Sequence, residues 1–397
     1  MPLQARLKQA LSAKNFVNPT PVQIQSIPPA LEGNDVIATA QTGTGKTLAF
    51  LIPVMEMLDA APQGAVQALV LTPTRELAIQ VREQYEALRA KKAQPAALVI
   101  GGLSEKAQIR SLRSGARLVV ATPGRLEDYI RRRIVDLRTV RMLVLDEVDR
   151  MLDMGFLPAI TRILATLPST RQTLCFSATL ERSVQGLLQN CTRNATRISL
   201  GNVLKPAESV RLQAYEVPLM QKSSVLRELL GNEDGKTLVF ARTKRGTERL
   251  ARDLERDGFA AAMIHGDRSQ SQRSAALAGF QQGRFQVLVA TDVAARGIHV
   301  GDVAHVINYE LPNLAEDFIH RVGRTGRAGQ TGVATSIVSG AEMIELRRFE
   351  RTLKLRIERK ETQRQMPKMP IPITNALKSA NTLRSRTLNR MPGEIFA

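Results

Sequence analysis

Residues 35–58 read "DVIATAQTGTGKTLAFLIPVMEML", and this stretch decides the class of fold. The apolar run 35–40 is typical of a β-strand that is buried on both faces. A glycine-containing loop, 40–47, follows the run, and residues 48–58 have a helical pattern. A buried strand that leads through a short loop into a helix is the first part of a βαβ unit. The stretch therefore predicts a parallel sheet covered by helices.

The same alternation continues along most of the chain. Further apolar strand candidates in the first half lie at 68–74, 96–102, 117–123, 141–147 and 173–179. After a polar segment, 200–209, the pattern restarts with candidates at 236–243, 261–267, 285–292, 304–310 and 332–338. We predict an α/β fold of two tandem domains, each a mainly parallel sheet flanked by helices. The predicted boundaries are 1–201 for the first domain, 202–211 for a linker, 212–340 for the second domain and 341–397 for a basic helix and disordered tail.

The charge of the chain predicts a polyanionic partner. Its 397 residues include 56 Lys and Arg against 37 Asp and Glu, a net charge of +19. The segment 341–397 holds 13 of these cations and 6 of these anions and so contributes +7, which leaves +12 on the rest of the chain. An excess of this size, spread along the chain, indicates binding to a polyanion such as nucleic acid. Solubility alone stays open as an alternative.

Other partners and cofactors are less favoured by the composition. No run of about 18 apolar residues occurs, so we expect no membrane partner. Two cysteines, Cys175 and Cys191, are too few for a disulfide framework or a zinc site. Their scarcity fits a reducing compartment, and we expect a cytoplasmic location.

The loop "AQTGTGKT" (40–47) has the pattern of a phosphate-binding loop, with Ala40 in place of the first glycine of the usual motif. In such a loop, backbone N–H groups cradle phosphates and the N-terminus of the next helix favours the anion. Lys46 would contact the β- and γ-phosphates, and the Thr47 hydroxyl would bind Mg²⁺. The backbone contacts would come from the residues Thr42, Gly43, Thr44 and Gly45. A glycine turn without this function is the alternative.

The stretch "RMLVLDEVDR" (141–150) ends an apolar strand on three carboxylates. Asp146 and Glu147 lie at the carboxyl end of the strand, which is where open α/β sheets bind ligands. One carboxylate there can hold magnesium and the next can orient or deprotonate an attacking water. We assign Asp146 to the metal and Glu147 to the water. The alternative is a helix start, in which Asp149 caps the following helix.

With these features the chain resembles the DEAD-box RNA helicases of superfamily 2, and within them the bacterial RhlE-like group. The resemblance covers roughly residues 14–340 and rests on ordered motifs, namely NPTPVQ (18–23, the Q motif), AQTGTGKT (40–47), PTRELA (73–78), GG (101–102), TPGR (122–125), DEVD (146–149), SAT (177–179), VFARTK (239–244), QSQR (270–273), ATDVAARG (290–297) and HRVGRTGR (320–327). It implies two RecA-like domains with ATP, Mg²⁺ and RNA bound between them. The activity implied is local unwinding of short RNA duplexes, coupled to hydrolysis of ATP to ADP and phosphate.

The resemblance also implies how nucleotide would be bound. Gln23 would contact the adenine edge through its amide, and Phe16 would stack on the ring. The family usually has a further aromatic residue well upstream of the Q motif, and residues 1–15 contain none. We therefore expect either an earlier start of the chain or a thinner adenine pocket. From the second domain, the residues implied to contact nucleotide are Asp292, Gly297 and His299.

Catalytic and coupling roles follow from the resemblance as well. Arg324 and Arg327 would neutralise charge on the γ-phosphate, a contribution of about 10³–10⁵ in rate in other nucleotide hydrolases. His320 would link these arginines to the DEVD motif. The residues implied to couple hydrolysis to unwinding are Asp149, Ser177 and Thr179.

The RNA contacts implied by the resemblance come from both domains, at Arg75, Gly101, Gly102, Thr122, Arg125, Arg242, Thr243, Gln270, Arg273 and Thr291. Hydroxyls, glycines and arginines suit phosphate and sugar oxygens rather than base edges, so we expect largely sequence-independent binding. The chain has no Trp and only 4% aromatic residues, so base stacking is not the expected main contact.

Two positions depart from the family pattern. Val148 stands where the family usually has Ala, and we expect neighbours that accommodate the larger side chain. His299 stands where motif V usually has Asp. A protonated imidazole cannot accept a hydrogen bond from ribose, so we expect weaker binding of ATP below about pH 6.5. The alternative is that the ribose contact is dispensable and His299 faces solvent.

Two rival functions stay open at this point. One is an RNA clamp or annealer with weak ATPase activity, and the other is a DNA translocase of the same superfamily. Intact Lys46, Glu147, Arg324 and Arg327 favour catalysis over the clamp, and the Q motif argues against the DNA translocase.

Overall fold

The structure is a computed structural model that describes residues 3–40, 43–61, 64–180, 182–200, 209–295, 303–326 and 330–361. Four predicted site residues lie outside these ranges, namely Thr42, Gly297, His299 and Arg327. The linker residues 202–208 and the tail beyond residue 361 also lie outside them. The described residues up to Lys360 belong to one compact unit.

The first half of the chain builds a seven-stranded parallel sheet. Its strands are β1 (Val36–Thr39), β2 (Ala68–Leu71), β3 (Ala97–Val99), β4 (Leu118–Ala121), β5 (Met142–Asp146), β6 (Gln172–Ser177) and β7 (Thr196–Ser199). Their order across the sheet is β3-β4-β2-β5-β6-β1-β7. The central strands β1, β2, β4 and β5 are buried at every residue because helices cover both faces.

The helices of this half connect the strands and cover the sheet. They are α1 (Ala5–Ala13), α2 (Pro21–Leu31), α3 (Lys46–Ala60), α4 (Arg75–Leu88), α5 (Glu105–Arg113), α6 (Pro123–Arg131), α7 (Val148–Asp153), α8 (Leu157–Leu164) and α9 (Arg182–Cys191). Two apolar clusters, one on each face of the sheet, form its core. Val148 is fully buried in one of them, together with Leu145 and Met151, so the larger side chain is accommodated as expected.

The second half builds another seven-stranded parallel sheet. Its strands are β8 (Val210–Glu216), β9 (Lys236–Phe240), β10 (Ala261–Ile264), β11 (Val287–Ala290), β12 (Val303–Asn308), β13 (Gly332–Val338) and β14 (Glu358–Lys360). Its helices are α10 (Lys222–Gly231), α11 (Lys244–Arg256), α12 (Gln270–Gln281), α13 (Asp292–Ala295), α14 (Ala315–Val322) and α15 (Glu342–Leu353), and a 3₁₀ turn spans Leu219–Gln221.

Both sheets have the same topology. The strand order of the second is β10-β11-β9-β12-β13-β8-β14. Counted within each half, the order is in both cases third, fourth, second, fifth, sixth, first, seventh. The predicted fold class, two tandem α/β domains on parallel sheets, is confirmed. Over the ranges described above, no helix is long and apolar enough to cross a membrane.

The end of the second domain lies further along the chain than Gly340. Helix α15 buries Met343, Leu346, Phe349 and Leu353 in the second core, and Ile357 joins them. Strand β14 then pairs in parallel with β8 at the edge of the sheet. The segment 341–360 was predicted to be part of the C-terminal extension, but its apolar face completes this core. We therefore propose that the second domain reaches Lys360.

Candidate functional site

A cleft with a volume of about 790 Å³ lies at the carboxyl ends of β1 and β5. It brings together many of the residues that sequence motifs pointed to, namely Phe16, Gln23, Gly43, Gly45, Lys46, Thr47, Asp146 and Glu147. Phe16 is 44% exposed in its wall, which leaves a ring face available for stacking. The carboxyl ends of parallel strands therefore form the candidate site, as the topology requires.

The phosphate loop packs directly against the Q motif. The Gln23 amide Nε2 donates to the carbonyl of Gly45, and its Oε1 accepts from the N–H of Thr20, both at 3.0 Å. Gly45 has a φ of 92°, and a Cβ there would lie 2.6 Å from Gln23 Nε2. Only glycine satisfies both the left-handed backbone and the close approach. The contact fixes the helix that carries Gln23 relative to the loop.

Lys46 begins α3, a helix of 15 residues, immediately after Gly45. Its side chain is buried, and Nζ donates to the carbonyl of Ala40 at 3.0 Å. Thr47 is the next residue. A buried cation and a hydroxyl at the N-terminus of a long helix form a site for an anion such as phosphate.

The two carboxylates at the end of β5 are both buried. Asp146 is 3% and Glu147 6% exposed. Burial raises the pKa of the Asp146 carboxyl to about 7; the ammonium of Lys46 opposes this rise and the charge of Glu147 adds to it. Glu147 has a left-handed backbone, with a φ of 52°. Such a conformation costs free energy for a residue other than glycine and tends to occur at functional sites.

The residues around Asp146 fit magnesium. Asp146 and Thr47 supply a carboxylate and a hydroxyl oxygen in the same cleft. Magnesium prefers hard oxygen ligands and is usually held by one or two protein groups together with phosphates and water. Among the described residues no group of three or more His, Cys, Asp or Glu could hold a metal by itself. A bound cation would also relieve the cost of burying Asp146 as an anion.

Asp149 holds the SAT segment rather than capping a helix. Helix α7 has Glu147 at its N-cap position, without a side-chain cap. Asp149 lies inside α7, and its Oδ2 accepts from the N–H groups of Ala178 and Thr179 at 3.0 Å and from the Thr179 hydroxyl at 3.3 Å. The Ser177 hydroxyl donates to the Thr179 carbonyl. The structure thus joins the three predicted coupling residues, and the alternative of an Asp149 cap is wrong.

Helix α14 of the second domain, together with Arg324, which follows it, lines a small space next to α7. This space is lined by residues of both domains, namely Arg150, Phe240, Asp292, Ala295, Asp317, His320, Arg321 and Arg324. Arg324 is 5% exposed, and its Nε donates to the carbonyl of His320 at 3.2 Å. The predicted catalytic residues Arg324 and His320 therefore lie beside the helix that follows the DEVD motif.

A second groove, of about 490 Å³, runs across both domains. It contains five of the predicted RNA contacts, namely Arg75, Gly101, Thr122, Arg125 and Arg273. The Arg75 guanidinium also lies against Gly102, whose φ of 81° is a backbone conformation that favours glycine. Guanidinium, hydroxyl and bare backbone groups along one groove suit the sugar-phosphate chain of a nucleic acid.

Four other predicted RNA contacts do not line this groove. Gln270 is 2% exposed, and its Nε2 donates to Glu76 Oε1 at 2.9 Å. The Arg242 guanidinium donates to the carbonyl of Leu311. Thr243 caps α11 by accepting from the N–H of Gly246 at 3.0 Å. Thr291 is buried. In this conformation these side chains contact other parts of the protein, and their contact with RNA stays a prediction.

The chain is similar to known proteins over most of its length. The family model "DEAD/DEAH box helicase" matches residues 20–187, and "Helicase conserved C-terminal domain" matches residues 221–329. The chain is 41% identical over 358 residues to the DEAD-box ATP-dependent RNA helicase CshA of Geobacillus kaustophilus, and covers 76% of that protein with 90% of its own length.

The chain belongs to the DEAD-box RNA helicases. It is also 43% identical over 334 residues to DEAD-box ATP-dependent RNA helicase 30 of Arabidopsis thaliana. That match covers 82% of this chain but only 56% of the plant helicase. A solved structure of S. cerevisiae Dbp5 bound to RNA and ADP BeF3 matches with a TM-score of 0.82 and 31% identity, over 91% of this chain and 95% of that one. As in the family, use of a nucleotide is part of this DEAD-box helicase's chemistry.

Three buried residues of this DEAD-box helicase were missed in the sequence. Glu76 accepts from Gln270 and, at 2.7 Å, from Arg273 across the domains. Arg321 holds Asp292 with two hydrogen bonds of 2.5 and 2.7 Å and stacks 4.8 Å from the Phe240 ring. Arg150 pairs with Asp317. Glu76 and Arg321 lie within the motifs PTRELA and HRVGRTGR, and Arg150 directly follows DEVD, so the motifs were the available signal. The partners of these residues are distant along the chain, and no local pattern identified them.

We expect Asp146→Asn to stabilise the metal-free, nucleotide-free helicase at alkaline pH. The folded-state pKa of about 7 exceeds the value near 3.9 of an exposed aspartate, so folding takes up a proton between these values. The free energy of unfolding therefore falls as pH rises from about 4 to about 7. The uncharged amide of the variant does not titrate, so its free energy of unfolding does not fall in this way. Relative to the parent, the variant should gain on the order of 2–4 kcal/mol of stability at pH 8 and little at pH 4.

Urea unfolding of both proteins in chelator, at pH 4, 6 and 8, measures this difference. A variant that is no more stable than the parent at pH 8 would contradict the assigned charge state of Asp146.

Proposed function

We propose that this protein is an ATP-dependent RNA helicase that binds RNA largely without regard to sequence and locally unwinds short duplexes. The observation that carries the proposal is the single cleft that contains Lys46, Thr47, Asp146 and Glu147. A buried cation and two buried carboxylates at a helix N-terminus are what hydrolysis of a nucleoside triphosphate requires.

In this proposal the first domain binds the nucleotide. Phe16 stacks on adenine, and the Gln23 amide recognises its edge. The backbone from Thr42 to Gly45 and the Lys46 ammonium hold the phosphates. Thr47 and Asp146 hold Mg²⁺, which when bound neutralises charge on the β- and γ-phosphate oxygens. Glu147 orients the attacking water and accepts its proton.

The second domain completes the site. Arg324 and Arg327 stabilise the charge that develops on the γ-phosphate, and His320 links them to the DEVD motif. Asp292, Gly297 and His299 contact the nucleotide from this side. The pairing of Asp292 with Arg321 supports a fixed position for that carboxylate. Asp149, Ser177 and Thr179 transmit hydrolysis to the RNA groove, which their shared hydrogen bonds support.

RNA binds in the groove that crosses both domains. The residues proposed to contact its backbone there are Arg75, Gly101, Gly102, Thr122, Arg125 and Arg273. Gln270, Arg242, Thr243 and Thr291 are proposed to contact RNA as well. Two free, buried cysteines support action in the reducing cytoplasm. Membership of the RhlE-like group stays a prediction from the motifs.

The decisive experiment measures phosphate release from ATP with no nucleic acid, with RNA and with DNA of the same sequence, together with strand separation of a short RNA duplex. Turnover that rises with RNA alone, and ATP-dependent separation, are expected. Tight RNA binding with negligible turnover would instead favour a clamp or annealer. Equal stimulation by DNA would contradict the proposed preference for RNA.

A further inference from the structure

An ion pair between Arg150 and Asp317 connects the two domains. Arg150 lies on α7, directly after the DEVD motif, and Asp317 lies on α14 of the second domain. Arg150 Nη1 donates to Asp317 Oδ1 at 2.7 Å. The two side chains are only 5% and 11% exposed. Neither residue lines the nucleotide cleft or the RNA groove.

Each partner is joined to a group that the proposed function uses. The N–H of Arg150 donates to Asp149 Oδ1 at 3.0 Å, and the other oxygen of Asp149 holds the SAT segment. On α14, Asp317 lies three residues before His320 and seven before Arg324, in the same small space. The pair therefore connects the helix that begins within the DEVD motif with the helix that ends two residues before Arg324.

The chemistry of the pair makes it sensitive to domain separation. Arg150 and Asp317 satisfy each other only while α7 and α14 are in contact. When the domains part, water can solvate both groups, so the pair adds little to overall stability. Removing one partner while the domains stay together takes a short charge-assisted hydrogen bond from the other, buried charge, which is costly. The nearest other carboxylate to Arg150 is that of Asp153, at 3.6 Å.

We propose that Arg150 and Asp317 form an interdomain latch that positions α14 against the DEVD motif, so that Arg324 is aligned only when the domains are closed. Both are positioning residues because they act through the groups beside them. The inference rests on the proposed RNA-dependent hydrolysis. It adds that an ion pair at this point forms only when the domains are closed. The pair itself contacts neither nucleotide nor RNA.

The test uses the full chain and the variants Arg150→Gln and Asp317→Asn. For each, ATP affinity without RNA, the RNA concentration at half-maximal turnover, and the maximal turnover are measured. We expect ATP affinity to be unchanged and the half-maximal RNA concentration to rise roughly 10- to 100-fold, because closure loses a buried charge pair. The double variant should cost no more than either single variant, since both changes break the same contact.

A matched control is Glu342→Gln, which breaks the Lys222–Glu342 pair. That pair is similarly short, at 2.8 Å, but it lies within the second domain. We expect the control to lower the melting temperature and to leave the RNA dependence unchanged. The exchanged pair, Arg150→Asp with Asp317→Arg, should recover part of the RNA response.

The outcomes separate the two proposals. If the parent protein shows no RNA-stimulated turnover, the proposed function fails. If the parent is stimulated normally, and both single variants match it in RNA dependence, the latch is refuted and the helicase assignment stands. If the single variants change only thermal stability, as the control is expected to do, the pair is a structural contact and the latch is likewise refuted.

Discussion

Glu147→Gln is expected to lower RNA-stimulated ATP turnover by about 10³-fold, because a positioned general base contributes typically 10²–10⁴ in rate. The amide is nearly isosteric with the carboxylate but cannot accept a proton from the attacking water. ATP affinity should be retained, since the phosphate contacts come from Lys46 and the loop. Steady-state turnover at saturating RNA, together with equilibrium binding of a fluorescent ATP analogue, measures both quantities.

The control for this change is Glu83→Gln, which alters another carboxylate in the lining of the same cleft. Glu83 lies on α4, is exposed and has no assigned role. Its variant should behave as the parent does. Near-normal turnover by Glu147→Gln would mean that another group activates the water.

A chain that ends after Gly340 is expected to lose its folded second domain. The truncation removes α15 and Ile357, and with them the buried side chains Met343, Leu346, Phe349 and Leu353. Burial of each contributes about 1.5–3 kcal/mol, so the loss is on the order of 10 kcal/mol, which is comparable to the stability of a whole domain. Phe349 also packs on Phe318 of α14, with ring centroids 5.8 Å apart, so the truncation removes a packing partner of α14.

The matched truncation ends after Lys360 and keeps this core. It removes 361–397, which holds six Lys and Arg against two Asp and Glu. We expect normal RNA-saturated turnover and a smaller salt dependence of RNA binding, by about 0.7 in the log–log slope for each cation that contacted a phosphate. Proteolysis and circular dichroism of the two truncations compare their folding. A well-folded, active protein ending at Gly340 would overturn the domain boundary proposed above.

The fold was largely predictable because buried parallel strands leave an unmistakable apolar signature. Each strand candidate, such as 141–147 for β5 (Met142–Asp146), corresponds to a strand in the structure. The strands missed are at or near sheet edges. Strand β14 reads Glu-Arg-Lys and is fixed only by its pairing with β8. No periodicity in three charged residues can reveal such a strand.

The position of a site residue was predictable where the secondary structure of its own motif determines where the side chain lies. Lys46 and Thr47 follow a glycine loop at a helix start, and Asp146 ends a buried strand, so the local sequence fixes where they lie. Contacts between the domains could not be predicted in this way. Glu76 meets Gln270 from 194 positions away, and Arg150 meets Asp317 from 167 positions away. Such pairs depend on how two separately folded sheets meet, which no local pattern encodes.

The shared strand order of the two sheets bears on the binding stoichiometry. As Lys46 opens the helix that follows β1, Lys222 opens the helix that follows β8, the equivalent strand of the second sheet. In the second domain, however, the Lys222 ammonium is buried and paired with Glu342, and it lies 5.2 Å from the centroid of the Tyr309 ring. Its charge is thus already neutralised where a phosphate would need it. From the duplicated architecture we therefore expect one nucleotide per chain, held by the first half.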